Sequence, residues 1–110
     1  MAEEVYASRF WKKNWDSNVH DIDPKEFETT YVKEIERTFK EVPDKVAMAF
    51  QGLEITYGAL DKYANSLANA LIDHGFKKGD VVAVNLPNIP EYVIALVGIL
   101  RAGCILSGVS

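Results

Sequence analysis

Cysteine is almost absent from this sequence, since Cys104 is its single example. One cysteine cannot build the disulfide framework that small secreted domains need, and it fits a reducing compartment. The first twenty residues also lack the apolar core of a secretory signal, because acids and bases interrupt them throughout. We therefore expect a cytoplasmic protein.

Long apolar runs and an excess of positive charge are missing as well. The most apolar stretch, residues 92–100, is far shorter than the ~20 residues that a membrane-spanning helix requires. Twelve basic residues stand against sixteen acidic ones, which gives a net charge of −4, and the lysines are scattered among acids. The sequence therefore predicts neither a transmembrane segment nor a nucleic-acid-binding surface.

The usual signatures of catalysis are absent too. No glycine-rich phosphate loop precedes a helix, and the loop at residues 86–90 has two prolines and no glycine. His20 and His74 have no cysteine or second histidine at metal-ligand spacing, and no G-x-S-x-G motif occurs. Cys104 lies inside an apolar run and is expected to pack as a small apolar side chain. We assign no catalytic, cofactor-binding or metal-binding residue.

The sequence begins with an aromatic-rich arm, residues 1–22. Four aromatic residues lie among charges here without a sustained helical or strand period. Two interpretations stay open. The arm packs on something larger, such as a second subunit in a homodimer, or it is an ordinary ordered tail of its own domain. The aromatic residues are Tyr6, Phe10, Trp11 and Trp15.

A first helix is predicted to begin at Asp23. Asp23 has the chemistry of an N-cap, Pro24 suits the first helical position, and Glu26 is placed to complete a capping box. Apolar residues then recur at every fourth position, which favours an amphipathic helix. Pro43 is expected to end it. The apolar stripe is Phe27, Tyr31, Ile35 and Phe39.

A β-hairpin and a second helix should follow. Alternating apolar residues flank Gln51-Gly52, a pair that suits a tight turn. Thr56 is a plausible N-cap for a long amphipathic helix. Gly75 is expected to end that helix in the left-handed conformation, with Phe76 folded back on the last turn.

The remaining residues predict strand, helix, strand. Residues 81–86 are apolar on both faces, as in a central parallel strand. Asn88 is expected to cap a third helix, and residues 92–100 are apolar nearly all round, so that helix must be covered on most sides. Gly103 closes the helix before another apolar strand at residues 104–109. This order predicts a right-handed crossover between parallel strands.

These elements are too few to complete a parallel sheet. Such sheets have helices on both faces and further strands at their edges. We therefore expect residues 23–110 to form an incomplete α/β subdomain, truncated at its C-terminus. The isolated chain should self-associate or expose apolar surface.

Three stretches, in this order, resemble the adenylate-forming enzymes, and in particular the acyl-CoA synthetases. PDKVAMAFQGLEITYGALDKYANSLANAL (43–71) is similar to the family's opening pattern, a hairpin that runs into a Thr-Tyr pair at a helix start. KKGDVVAVNLPNIPEYVIALVGILRAG (77–103) is similar to the next strand, Pro-Asn loop and apolar helix. RAGCILSGVS (101–110) resembles the start of the following strand. RFWKKNWD (9–16) resembles, more weakly, the start of fatty-acyl-CoA ligases.

Two departures from the family pattern are visible. Ala59 stands where the family commonly has a glutamate that closes a capping box, which weakens the cap by roughly 0.5 to 1 kcal/mol. The last four residues, SGVS, depart from the Val-Pro-rich version common in many members. The second departure leaves the subfamily open.

The resemblance implies the N-terminal part of the large domain of an AMP-forming, long-chain fatty acid–CoA ligase. Such an enzyme uses ATP with Mg²⁺ to convert the acid to an acyl adenylate and then transfers the acyl group to coenzyme A. The family's phosphate loop, ribose-binding acid and lid lysine have no counterpart in these residues. The segment is thus implied to be a scaffold, inactive alone, whose partner is the remainder of the enzyme.

Two alternatives stay open. One is a non-catalytic α/β module that binds a partner through its terminal strand and its aromatic arm. The other is a different adenylate-forming enzyme, namely an amide-forming ligase, a luciferase-like oxygenase or a carrier-protein adenylation domain.

Overall fold

Two long helices packed on two small sheets dominate the computed structural model, which describes residues 2–110. The predicted α/β order of helix, hairpin, helix and β-α-β unit is confirmed. The helices are α1 (Ala2–Ala7), α2 (Tyr31–Glu41), α3 (Tyr57–Asp73) and α4 (Pro90–Arg101), with 3-10 turns at Phe10–Asn14 and Pro24–Phe27. The strands are β1 (Val46–Phe50), β2 (Leu53–Thr56), β3 (Val81–Val84) and β4 (Ile105–Gly108).

The hairpin and the start of α3 form as local chemistry predicts. β1 and β2 pair antiparallel, and the turn residues Gln51 and Gly52 have φ of 49° and 82°. Two consecutive positive φ values define the type I′ turn, whose twist matches the strands of a hairpin. Immediately after β2, the Thr56 hydroxyl accepts a hydrogen bond from the Ala59 N–H at 3.1 Å. Thr56 therefore caps α3 as predicted.

The end of α3 is closed by its own backbone. Gly75 has φ of 92° and donates its N–H to the Ile72 carbonyl, while the Phe76 N–H reaches the Leu71 carbonyl at 3.1 Å. This pair of bonds is the Schellman motif, which satisfies carbonyls that have no partner inside the helix. The chain then turns into β3, which pairs parallel with β4 from Val81↔Ile105 to Val84↔Gly108.

The core lies where α3 and α4 cross. A Cβ at Gly98 would sit 2.9 Å from Leu67 Cδ2 and 3.0 Å from the Ala64 carbonyl oxygen, so the two helices approach closely only because this residue is glycine. Two clusters of buried apolar side chains extend from this crossing, one towards α2 and the hairpin and one towards β3 and β4. Their buried members are Phe39, Ile55, Leu60, Ala64 and Val97, and Val84, Ala95, Ile99 and Cys104.

The prediction of one continuous helix from Asp23 to Pro43 was wrong. Asp23 does accept a hydrogen bond from the Lys25 N–H, but only a 3-10 turn follows, and α2 starts anew at Tyr31. Thr30, with extended backbone, accepts from the Lys33 N–H at 3.2 Å and caps α2 instead. Glu26 faces His20 rather than the cap backbone. Two competing caps close together therefore divide the segment.

The predicted cap of the third helix was also wrong. Ile89, not Asn88, occupies the N-cap position of α4, and no side chain bonds to the free N–H groups there. Pro90 stands at the first helical position, where its missing N–H costs nothing. The helix is nevertheless buried on most sides, as its composition predicts. Its buried residues are Pro90, Ala95, Val97, Gly98 and Ile99.

Only one face of the β3–β4 pair is covered. Val84 and Val82 face α3 and α4, whereas Val81 and Ile105, side by side on the opposite face, are 60% and 52% exposed. Within residues 2–110, β3 has β4 as its one neighbour and one bare face, and its place as a central strand stays a prediction.

The arm extends away from this core. The radius of gyration is 18.5 Å, against about 13 Å for a compact chain of this length, and the longest dimension is 56 Å. No side chain in α1 or in either 3-10 turn is buried. None of the helices in residues 2–110 combines the length and the apolarity needed to cross a bilayer.

Candidate functional site

The carboxyl edge of the β3–β4 pair is the first place to look for a site. In open α/β sheets, ligands bind outside the carboxyl ends of parallel strands. Here Val84 and Gly108 end the two strands side by side, and the Val109 N–H extends the ladder to the Val84 carbonyl at 3.0 Å. The loop at residues 85–89 leads from the end of β3 to the start of α4.

The Tyr92 hydroxyl lies beside Gly108 at that edge. A Cβ at Gly108 would lie 3.2 Å from the Tyr92 hydroxyl, so glycine leaves room for the phenol above the end of β4. Asn85 and Asn88, in the loop that follows β3, carry amides, and both are exposed. Amides and a phenol can orient a ligand through hydrogen bonds.

The two histidines are used locally and lie in different parts of the chain. His20 Nε2 is 3.3 Å from Glu26 Oε1, on the exposed stretch that leads into the second 3-10 turn. His74 Nδ1 lies 2.7 Å from the Ala70 carbonyl, at the last turn of α3. Ser66 likewise donates its hydroxyl to the Lys62 carbonyl within α3. Each of these side chains therefore completes the hydrogen bonding of its own segment.

Cys104 is buried between α4 and β4. It is 5% exposed, and its Sγ lies 3.6 Å from the Lys77 carbonyl oxygen, within reach of a weak S–H hydrogen bond. Its neighbours in the cluster are apolar. The predicted role as a small packed side chain is consistent with this environment.

Arg101 is the most connected charged residue of the core, and sequence analysis did not single it out. Its Nη2 lies 2.8 Å from Asp61 Oδ1, its Nη1 donates to the Asp61 carbonyl, and its Nε is 3.7 Å from Glu36. The guanidinium also lies over the Phe39 ring at 5.5 Å. Glu36 and Phe39 belong to α2, and Asp61 belongs to α3. The Arg101 side chain, which is only 16% exposed, therefore joins α2, α3 and α4 at one point.

Two exposed carboxylates carry perturbed acidity. The pKa of Asp21 is lowered, first by the hydrogen bond from Lys12 and then by the charge of Arg9, whose Nη1 lies 2.7 Å away. The pKa of Glu34 is lowered by the Thr29 hydroxyl and by Arg37. Both carboxylates hold short segments in place. Throughout the described chain, no three His, Cys, Asp or Glu side chains come together as a metal site would require.

Comparison with known proteins gives this geometry a context. The family described as "AMP-binding enzyme" matches residues 35–110. A medium/long-chain-fatty-acid–CoA/3-oxocholest-4-en-26-oate–CoA ligase of Mycolicibacterium smegmatis is 45% identical over 75 residues, which cover 68% of this chain and 14% of that protein. The acetyl-coenzyme A synthetase of Magnetococcus marinus is 36% identical over 94% of this chain and 18% of its own length.

The solved structures agree with these sequence matches. The N-terminal subdomain of NpsA from Klebsiella oxytoca, in complex with 3-hydroxyanthranilyl-AMSN, superposes with a TM-score of 0.69 and 28% identity. The superposition covers 72% of this chain and 20% of that one. The chain therefore spans about a fifth or less of the length of each of these proteins.

Proposed function

The chain belongs to the AMP-binding enzyme family, and we propose that it serves as scaffold in the N-terminal subdomain of an ATP-dependent acid–CoA ligase. The match of the family to residues 35–110, which include the whole α3–α4 crossing, carries this proposal. Residues 1–22 form an arm outside that match, and residues 23–110 belong to the subdomain. In such a ligase the acid's carboxylate attacks the α-phosphorus of ATP and displaces pyrophosphate, and the thiol of coenzyme A then displaces AMP.

In this proposal, residues 2–110 do not themselves bind ATP, Mg²⁺ or coenzyme A. The loop before α4 has no glycine to present a row of N–H donors to phosphate. The described residues hold no buried side-chain polar atom left without a partner and no cluster of acids for a cation. We therefore assign these residues the task of supporting the β3–β4 edge and assign no chemical step to them.

A medium- or long-chain fatty acid is the proposed substrate. The Mycolicibacterium smegmatis ligase supports it, because its matched segment is 45% identical and its name includes medium- and long-chain fatty acids. Acetate is a second candidate, because the Magnetococcus marinus acetyl-coenzyme A synthetase matches 94% of the chain, including much of the arm.

A cytoplasmic location is part of the proposal. The single cysteine, which is buried and forms no disulfide, supports it.

A chimera tests the scaffold role. We expect residues 35–110 to replace the matching segment of the Mycolicibacterium smegmatis ligase with retention of adenylate formation and of that enzyme's own acid preference. Acid-dependent exchange of pyrophosphate into ATP is the measurement. The isolated 110-residue chain should show no exchange. Exchange by the isolated chain, or a folded chimera without activity, would contradict the scaffold role.

Gly98→Leu in the same chimera is the matched control. A side chain at this position meets the Ala64 backbone oxygen at 3.0 Å, so the α3–α4 crossing must open. We expect the altered chimera to lose both soluble expression and exchange. An altered chimera as active as its parent would show that the crossing does not position the site.

The substrate class is tested with the protein expressed from the full reading frame that carries these residues. Pyrophosphate release in the presence of coenzyme A is compared for dodecanoate and acetate. For a fatty acid ligase, we expect kcat/KM to favour dodecanoate by on the order of 100-fold or more, since each methylene in an apolar pocket contributes to discrimination. A preference for acetate would instead select the second candidate.

A further inference from the structure

The last residue of α4, Arg101, is held by two other helices. Its guanidinium bonds both to the side chain of Asp61, at 2.8 Å, and to the backbone carbonyl of the same residue, at 3.1 Å. From α2, Glu36 approaches the remaining nitrogen and the Phe39 ring lies beneath the guanidinium. A planar guanidinium presents its donors in a rigid fork, so partners on several sides fix its direction as well as its distance.

A short, fully hydrogen-bonded connection leads from Arg101 to β4. Only residues 102–104 separate the two elements. Gly103, with φ of 79°, and the buried Cys104 donate their N–H groups back to carbonyls of α4 at 3.0 and 3.1 Å, which is the Schellman arrangement. The N–H of Ile105 is bonded at 2.8 Å to the turn that precedes β3. The end of α4 and the start of β4 are therefore joined as one piece.

The same strand carries this connection to the carboxyl edge of the β3–β4 pair. β4 runs only from Ile105 to Gly108, which is about 10 Å at about 3.3 Å per residue. At its end, a Cβ on Gly108 would lie 3.2 Å from the hydroxyl of Tyr92, which belongs to the first turn of α4. Both ends of α4 therefore act on this edge, the first turn directly and the last turn through β4.

We propose that Arg101 is a positioning residue of the ligase, which fixes the last turn of α4 against α2 and α3 and thereby sets the position of the carboxyl edge at Gly108. The proposal rests on the proposed function, in which this segment supports that edge. Arg101 acts through β4 and not through contact with a substrate. Its loss is therefore expected to impair adenylate formation in a protein that remains folded.

The fork supplies what apolar packing around Gly98 does not. Hydrophobic burial is non-directional, so the packing brings α3 and α4 together without fixing the exact direction of the last turn of α4. The two bonds from Arg101 to Asp61 fix that direction, because the side chain and the backbone of one residue are held at once. Lysine at this position would keep the charge but would present no fork. Arg101→Lys therefore distinguishes geometry from charge.

The test uses the protein expressed from the full reading frame that carries these residues. Adenylate formation is measured as acid-dependent exchange of pyrophosphate into ATP, at a temperature at which each variant is folded by circular dichroism. We expect Arg101→Leu to lower kcat/KM by about tenfold or more, since small misplacements of a site are costly. Arg101→Lys should fall between this variant and the parent. Amide hydrogen exchange at residues 105–108 should accelerate by about tenfold or more in Arg101→Leu, because β4 loses its fixed support.

Two control variants separate positioning from general stability and from charge. Ile55→Val trims a buried side chain of β2 and should cost stability comparable to Arg101→Leu, yet keep kcat/KM within about twofold of the parent. Arg37→Leu removes an exposed arginine whose ion pair lies within α2, and should change neither adenylate formation nor amide exchange of β4. Only the Arg101 variants are expected to affect both measurements.

Two results would overturn the proposal while leaving the ligase assignment intact. The first is a folded Arg101→Leu variant that forms adenylate as fast as an active parent. The second is an equal loss of activity and of amide protection in Arg101→Leu and Ile55→Val, which assigns both losses to general stability. A parent protein without acid-dependent exchange would contradict the ligase assignment itself, and the positioning role with it.

Discussion

The α3–α4 core and the arm at residues 2–22 are both rich in large apolar residues, but the core buries these side chains and the arm exposes them. Ile99, in the core, is 2% exposed, whereas Ile22, in the arm, is 62% exposed. α3 and α4 have 17 and 12 residues and present long apolar stripes to one another, whereas the arm's two helical elements have 6 and 5 residues. Elements this short cannot build a stripe wide enough to bury.

The two regions also depend on different forces. The core is held by apolar packing around Gly98, with Arg101 as its one enclosed charge. The arm is held by ion pairs in water, in which Asp21 accepts from both Arg9 and Lys12. Apolar burial stabilises by roughly 25 cal/mol for each Å², whereas exposed ion pairs contribute at most about 1 kcal/mol. The core is therefore expected to determine global stability, and the arm to respond to pH and salt.

Matched isoleucine truncations test this contrast and should give the largest difference. Ile99→Ala leaves a cavity in a close-packed cluster and should lower the free energy of unfolding by about 2 to 5 kcal/mol. Ile22→Ala changes an exposed side chain and should stay within about 0.5 kcal/mol. Urea titration followed by circular dichroism measures both. Equal losses at the two positions would show that the arm belongs to the cooperative core.

Features that depend on a few neighbouring residues could be predicted from the sequence. The turn at Gln51-Gly52, the cap at Thr56 and the glycine end of α3 each rest on contacts among near neighbours in the chain, and each is confirmed. The start of α2 was mistaken, since Asp23 and Thr30 are both competent caps and local chemistry alone does not rank them. Asn88 does not cap α4, because Pro90 occupies the first helical position and Ile89 therefore stands at the N-cap.

Features that depend on distant residues could not be predicted in this way. Arg101 and Asp61 are 40 positions apart, and no local pattern links an arginine at a helix end to that carboxylate. The groove lined by Leu53, Tyr63 and Ile94 likewise combines β2, α3 and α4, which come together only in the fold. The assignment of no catalytic residue stays a prediction. The family resemblance, by contrast, was visible from the order of motifs alone.

Paired arginine substitutions compare a largely buried charge with an exposed one. The expected difference in the free energy of unfolding is smaller than that for the isoleucine pair. Arg101→Leu removes charge-assisted hydrogen bonds to Asp61 and the contact with Phe39, and should cost about 1 to 2 kcal/mol after allowance for the partly exposed carboxylates. Arg37→Leu breaks a pair whose side chains are 65% and 47% exposed, and should cost at most about 0.5 kcal/mol. Urea titration at two salt concentrations distinguishes them. A larger loss at Arg37 would reverse the assignment of Arg101 as the junction of three helices.

Acid should loosen the arm while the core stays folded, which is the smallest of these effects. The folded arm lowers the pKa of Asp21 below its ordinary value of 3.8 through Lys12 and Arg9. A lowered pKa means that the contribution of these contacts is complete above the ordinary value and is lost as pH falls through the lowered one. Emission from Trp11 and Trp15 should therefore change below about pH 4, before circular dichroism reports unfolding of α3 and α4.

Asp21→Asn separates this contact from other acid effects. The amide cannot be ionised, so the variant should show at neutral pH the tryptophan emission that the parent chain shows only in acid. High salt should shift the parent in the same direction, because these charges are exposed and screened. Glu34, whose pKa is also lowered but whose partners Thr29 and Arg37 lie outside the arm, supplies the control. If Glu34→Gln altered tryptophan emission as Asp21→Asn does, arm and core would be coupled, and the independence on which the contrast rests would be refuted.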